Sequence, residues 1–290
     1  MSREKVLSLL REHPNQSLSG EAMSRQLGVS RAAVWKAIEA LRQEGYVISS
    51  APNRGYCLQS APDRVREGEL AGPLSGCHVG SRLICLDVID STNTECKRRA
   101  MVGAPEGLVV LAEEQTGGRG RLGRSFQSPR GCGLYLSALL RPHVEPSAVT
   151  DFTAWVAVAV CDGIQAACGV RPRIKWTNDI YAGDKKLVGI LIEHSYSGQT
   201  LARTIVGIGI NVNQTEFDPA LPNPVSMAMV AGRTFDRGEV LEAFRRHIGI
   251  RYAQLELDER ETLQRDYRER MYRLGERHTF RYPDGTPTEA

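Results

Sequence analysis

The chain has 290 residues, 41% of them apolar, which is enough for two or more domains with buried cores, and its formal net charge is +3. No apolar run approaches the ~20 residues that cross a bilayer, and the start, Met1-Ser2-Arg3-Glu4-Lys5, has no signal-peptide apolar segment, so a cytoplasmic protein is expected and a membrane protein is not. Seven scattered cysteines without a Cys-x-x-Cys pair, and six histidines without ligand spacing, fit reduced thiols and argue against a structural metal.

The charge excess lies at one end. Residues 1–60 hold 8 Lys/Arg and 5 Asp/Glu, whereas residues 61–290 hold 29 of each. In the first segment Val6, Leu9 and Leu10 share one helical face, and His13-Pro14-Asn15 ends that helix. Ser19 is placed to cap a second helix with Ala22, Met23 and Leu27 inward, and Gly28 sits where a left-handed residue is wanted. Ser30 caps a third, 31–43, with Ala33, Val34, Ala37, Ile38 and Leu41 at helical spacing. Two strand-like runs, 46–49 and 56–58, follow around the turn sequence Pro52-Asn53-Arg54-Gly55, and the whole reads as a winged helix-turn-helix. Ser30, Arg31, Trp35 and Lys36 fall near the end of the third helix that enters a major groove, and Arg54 tips the wing toward phosphate. DNA is the expected partner, although a module of this kind also serves protein contacts.

A polar linker follows, to about residue 80. From Arg82 strands alternate with helices: strands at 83–86, 108–112, 134–140, 173–176, 187–192 and 204–210, and helices from the caps Asp90-Ser91-Thr92-Asn93 to Met101 and from Phe152 to Cys168. The second helix is apolar on nearly all sides, so it is buried. Turns at Gly183-Asp184 and Gly198-Gln199 imply antiparallel neighbours, which makes the fold class α+β with a mixed or antiparallel sheet. Asp236 with Glu239 opens a last helix reaching about Leu257, and after Leu274-Gly275 the chain turns strand-like.

Three stretches suit chemistry better than packing. Gly117-Gly118-Arg119-Gly120-Arg121-Leu122-Gly123-Arg124 makes a poor helix or strand, but its glycines let a backbone approach a ligand and its guanidiniums match carboxylate and phosphate oxygens. No Asp or Glu occurs from Gln115 to Val144, a span with Arg119, Arg121, Arg124, Arg130 and Arg141. Read alone, the run fits a solvated basic loop or an RNA-contacting arm as well as an anion site. Lys175-Trp176-Thr177-Asn178-Asp179 puts a lysine at a strand end, either facing a cleft or simply at the surface before a turn. Gly207-Ile208-Gly209-Ile210-Asn211 sets glycines inside a β-branched strand, for close approach of a ligand or for helix-on-sheet packing.

These stretches, with Lys186-Leu-Val-Gly-Ile-Leu-Ile-Glu193 and behind a winged helix, resemble the bifunctional biotin protein ligase and biotin operon repressor family over about residues 1–275. The resemblance implies four parts: a DNA-binding domain (1–60), a linker (61–80), a catalytic domain (81–273) and an incomplete C-terminal SH3-like β domain (274–290). It implies that ATP and biotin form biotinyl-5'-AMP, with Mg2+ on the phosphates, and that biotin passes to a lysine of a carboxylase carrier domain. The adenylate also serves as corepressor for a homodimer on operator DNA. Residue by residue, it implies that Lys175, Arg121 and Arg119 are catalytic, that Ser91, Thr92, Asn93, Gln115 and Gly120 join them around biotin, and that Gly118, Arg124, Asn178, Asp179 and Asn211 meet the nucleotide. Phe126 stands where the family usually carries Trp. The family also continues past residue 275 for about 50 residues, the scale of the smallest domains. A lipoate or octanoate ligase and a non-enzymatic, ligand-sensing repressor are the competing readings.

Overall fold

Caps and apolar spacing decide the first part of the chain. The structure, a computed structural model, describes residues 2–13, 16–51, 55–63, 65, 79–142, 149–198, 200–257, 259–281 and 286–289. It forms two units, Met1–Gly72 and Pro73–Ala290. The first holds α1 (Ser2–Glu12), α2 (Gly20–Leu27), α3 (Arg31–Gln43) and a hairpin of β1 (Val47–Ala51) with β2 (Gly55–Ser60). Ser19 Oγ accepts from the Ala22 amide and Ser30 Oγ from the Ala33 amide, so both helices carry the expected side-chain caps. Gly28 closes α2 at φ 65°, a left-handed conformation that costs a glycine nothing. Val6, Leu9 and Leu10 pack with Met23, Val34, Ile38 and Leu41, all essentially buried. Arg31, Trp35 and Lys36 stay exposed on α3, while the Ser30 hydroxyl is taken up in capping. The wing turn with Arg54, and most of the linker, lie outside the described residues.

The second unit is built on one sheet, in the order β3-β4-β5-β9-β8-β7-β6. Its strands are β3 (Arg82–Ile89), β4 (Leu108–Gln115), β5 (Gly133–Leu140), β6 (Arg173–Lys175), β7 (Asp179–Ala182), β8 (Lys185–Ser197) and β9 (Thr200–Asn211). β3 and β4 are parallel and the other pairs antiparallel, so the sheet is mixed. α4 (Thr92–Met101) covers one face through Cys96 and Ala100 against Val110, Leu139 and Ile205. α5 (Val149–Cys168) is the buried helix expected from composition, with Phe152, Trp155, Val156, Val158 and Val160 at most 1% exposed. α7 (Arg237–Glu256) begins at Asp236, whose side chain accepts from the Glu239 amide. A two-stranded hairpin, β10 (Thr279–Arg281) with β11 (Pro287–Glu289), follows near the C-terminus, and its Asp284-Gly285 turn is outside the described residues.

The short helix α6 (Met227–Ala231), β7 and α8 (Arg260–Glu269) were not legible from sequence patterns. α8 has a single buried apolar side chain, Leu263, and is held by charge instead. Arg251 donates to Asp162 at 2.8 Å and to Asp266 at 2.6 Å, and Arg270 donates to Asp162 at 2.8 Å. An ionic clamp of this kind leaves no periodic apolar signature.

Beneath the sheet Arg237, 1% exposed, meets Glu113 at 2.9 Å and also donates to the Gly133 carbonyl. Removing one member of such a pair takes from a buried charge its counter-ion at 2.9 Å. Glu113→Ala is expected to destabilise the protein by about 3–5 kcal/mol, read as a lower denaturant midpoint with an unchanged slope.

Candidate functional site

The centre of the sheet is cleared of side chains. Gly189 pairs with Gly209, Tyr135 faces Gly209 from the other side, and Ser137 faces Gly207. A Cβ at Gly209 would stand 2.4 Å from a ring carbon of Phe126, and one at Gly189 would stand 2.9 Å from it. A Cβ at Gly207 would lie 2.0 Å from Asn93 Oδ1. The glycines therefore serve close approach by two different groups: an aromatic ring from the Gly/Arg segment, and an amide from α4.

Around this floor runs a buried polar network. Ser91, Thr92 and Asn93 are 3 to 5% exposed. The Thr92 amide and hydroxyl both reach Gln115 Oε1, at 2.8 and 3.0 Å, and Gln115 Nε2 donates to Ser128 Oγ at 2.8 Å. Asn93 Nδ2 donates to Glu193 Oε2 at 2.8 Å, and Lys97 Nζ donates to Glu193 Oε1 at 2.6 Å. Burial works to raise the Glu193 carboxyl, but these two donors and the charges of Lys97 and Arg119 outweigh it, and the group is held below its ordinary value. Ser91 begins α4 without a side-chain cap; its amide donates to Asp90 Oδ1.

The Gly/Arg segment is tied down at both ends. Gly117 N donates to Asp90 O, Phe126 N to Gly118 O, and Gly120 N to Arg124 O. A Cβ at Gly118 would stand 2.3 Å from Phe126 O and 3.3 Å from Gln115 Nε2, so this glycine lets the loop lie directly on the polar network. Arg119 and Arg124 point outward, and Leu122, at φ 55°, is 90% exposed. Arg121 reaches across to hydrogen-bond Thr177 Oγ1 and, at 3.0 Å, Asn178 Oδ1. Asn178 in turn donates to the Ile190 carbonyl at 2.6 Å.

Two lysines share the neighbouring sheet edge. Lys175 donates to Tyr181 Oη at 3.2 Å and lies 5.0 Å from the centre of that ring. Lys186 pairs with Asp179 at 2.8 Å, and its Cε lies 3.7 Å from the place of a Gly189 Cβ, beside Phe126. The sequence reading gave Lys186 no role. A register shift between β7 and β8, at Ile180 and Tyr181, sits where Lys186 enters the sheet, and a bulge re-aims side chains in a way no pattern reveals. Asp179 is thereby taken up by a lysine. Among the described residues no group of three or more His, Cys, Asp or Glu is arranged to hold a metal. Asn211 is buried and tied to Val225 O and Gln214 Nε2, facing the 211–226 segment. On the outer edge of β8 lies a cavity of about 540 Å³, lined by Arg121, Trp176, Asn178, His194, Tyr267 and Arg268 among others; Arg119 and Lys175 do not line it. Burial lowers the His194 pKa, so the arginines supply the charge there.

A winged helix joined to a sheet of this topology, with a glycine floor under a basic loop, defines a class: a ligase-type α+β domain behind a DNA-binding module. The Biotin/lipoate A/B protein ligase family matches residues 85–211, and an HTH domain family matches residues 2–57. The bifunctional ligase/repressor BirA of Bacillus subtilis is 39% identical over 243 residues, 83% of this chain and 75% of that protein. The protein of the same name from Escherichia coli is 33% identical over 247 residues, 84% of this chain and 74% of its own. A structure of the biotin protein ligase from Aquifex aeolicus in complex with biotin and ATP superposes with a TM-score of 0.62 at 28% identity, covering 72% of this chain and 85% of that one. The chain belongs to the bifunctional biotin ligase and repressor family.

The ring-on-glycine contact predicts a non-additive pair. Gly209→Ala lowers the thermal midpoint by driving Phe126 off the floor; in a Phe126→Ala background the same change costs little, because the colliding ring is gone. Thermal melts of the two single variants and the double variant check this.

Proposed function

We infer that this chain is a biotin protein ligase that also represses transcription in response to biotin. One observation carries the enzymatic half: the arginine-bearing loop lies directly over the glycine floor and on a buried network of hydroxyl and amide groups. A cyclic urea needs donors and acceptors together, and Thr92, Asn93 and Gln115 supply both. The dithiolane of lipoate has no N–H or carbonyl to offer such groups, which disfavours the lipoate reading.

In the first step a biotin carboxylate oxygen attacks the α-phosphorus of ATP and pyrophosphate leaves. Two anions meet, so fixed cations have to offset their repulsion and the charge that develops. Arg119, Arg121, Lys175 and Lys186 are the groups at hand, and Lys186 is the one set beside the floor, bridging carboxylate and phosphate oxygens. On the same reading Gly118, Arg124, Asn178, Asp179 and Asn211 would meet the nucleotide, and Gly120 would join the biotin side. Magnesium would arrive with ATP and would neutralise its phosphates. In the second step the ε-amine of a carrier-domain lysine attacks the acyl carbon and AMP leaves. The loop, closed over the mixed anhydride, keeps water away until that amine arrives.

For repression, Arg31, Trp35 and Lys36, exposed on α3, would meet operator DNA. β8 beyond Ile190 meets no further strand on its outer edge among the described residues, which suits addition of a second copy through the sheet and a two-fold operator. The division into domains at 1–60, 61–80, 81–273 and 274–290 follows the same reading. A reduced, cytoplasmic setting agrees with the carboxylase partner, and no helix among the described residues is long and apolar enough to cross a membrane.

The deciding experiment is biotin-dependent exchange of labelled pyrophosphate into ATP, with lipoate as control. Exchange with biotin alone is expected, and exchange with lipoate would overturn the assignment. Arg121→Gly is expected to make adenylate yet release it roughly thirtyfold faster, the scale of one lost charged hydrogen bond. Retention at the wild-type rate in a dissociation assay would count against the loop as a closure.

A further inference from the structure

Glu193 has no part in the reaction above, yet it terminates a row of hydrogen bonds running beside the glycine floor to the loop. Asn93 and Lys97 both donate to it. Asn93 Oδ1 then lies 2.5 Å from Ser137 Oγ, Ser137 Oγ 2.7 Å from Thr92 Oγ1, and Thr92 Oγ1 3.0 Å from Gln115 Oε1. Ser137 is fully buried, and Thr92 and Asn93 nearly so. Four oxygens in a line are thus served by only two hydroxyl protons.

A carboxylate only accepts, so Asn93 has to turn its amino group to Glu193, at 2.8 Å, and its carbonyl to Ser137; the Leu191 carbonyl, at 3.4 Å, is a second and much longer contact for the same amino group. Two acceptors cannot rest 2.5 Å apart without a proton between them, which commits the Ser137 proton to Asn93. The Ser137 oxygen is then filled by the Thr92 proton. At the other end the Thr92 backbone N–H fixes Gln115 Oε1 as an acceptor, with Nε2 turned to Ser128. Thr92 Oγ1 and Gln115 Oε1 are left as neighbouring acceptors with no proton between them. If Asn93 turned over, Asn93 would donate to Ser137, Ser137 to Thr92 and Thr92 to Gln115, and the row would be satisfied with no ligand at all.

We propose that Glu193, seated by Lys97, sets the proton direction of this row and so makes Thr92 and Gln115 an acceptor pair for a ligand N–H, here a ureido N–H of biotin. The inference rests on the biotin reading. Glu193 is a positioning residue: it acts through Asn93 and Ser137 and does not reach the ligand.

The test compares biotin with biotin methylated at each ureido nitrogen in turn, by pyrophosphate exchange and by calorimetry. An amide at position 193 meets two donors with a single carbonyl, so in Glu193→Gln only the long 3.4 Å contact from Asn93 Nδ2 to the Leu191 carbonyl still favours the wild-type direction. Biotin KM is expected to rise about tenfold, the weight of one hydrogen bond to a neutral donor, with kcat and ATP KM unchanged. One methylated analogue, lacking the N–H that the pair receives, binds wild type and variant alike. Asn93→Asp alone sets two carboxylates together and loses biotin. Combined with Glu193→Gln it recovers, because the carboxylate at 93 accepts from both Ser137 and the amide at 193, whose carbonyl still takes Lys97. Should Glu193→Gln not fold, the Asn93→Asp single and double variants make the same comparison. An unchanged biotin KM in Glu193→Gln, an equal penalty for all three ligands, or no recovery in the double variant overturns the proposal and leaves the biotin reading standing. A wild-type chain that neither exchanges nor binds biotin sinks that reading, and this inference with it.

Discussion

Everything in the catalytic unit depends on three missing Cβ atoms. Gly189, Gly207 and Gly209 remove the side chains from the middle of β8 and β9, so a helix amide and an aromatic ring rest on backbone that a β-branched strand would hold at a distance. The cost is local, since glycine weakens a strand, and it is offset by flanking residues such as Leu187, Val188, Ile208 and Ile210, which bury fully or nearly so against the other face. A sheet that is thick on the α5 side and bare on the α4 side results. On the function proposed above, the bare side is the surface that would take a flat bicyclic ligand and a nucleotide.

Polar groups at this surface are organised by pairing rather than exposure. Thr92, Asn93, Gln115, Ser128 and Ser137 hold one another, and Glu193 with Lys97 anchors the far end. The partners open to each buried group limit how it can turn, and that limit fixes orientation. The same economy governs the loop. Its glycines allow the backbone to lie flat on Gln115, while Arg121 is drawn across to Thr177 and Asn178, on the turn that α8 supports through Tyr267 and the Thr177 carbonyl. The ionic clamp of Asp162, Arg251, Asp266 and Arg270 is thus connected, through α8, to the position of Arg121.

Sequence alone determined the winged helix, the buried α5 and the α+β class, because caps, helical spacing and strand runs are local properties, written in the residues that carry them, whereas the parallel β3–β4 pair that makes the sheet mixed came from the structure. Ser19, Gly28, Ser30 and Asp236 do at their positions what their chemistry predicts. The ordered motifs marked the family and brought Gly118, Arg121 and Gln115 forward as site residues. The tertiary structure alone decided what the glycines in β9 are for, since Asn93 and Phe126 come from distant parts of the chain. It also decided that Lys186 stands by the floor while Lys175 lies on Tyr181, because a register shift sets that choice. α8 could not be read in advance: ion pairs between helices hold it, and the pairing of charges across space leaves no period in sequence. Glu193 was hidden for the same reason, since its importance lies in the donors that face it, from a helix nearly a hundred residues away.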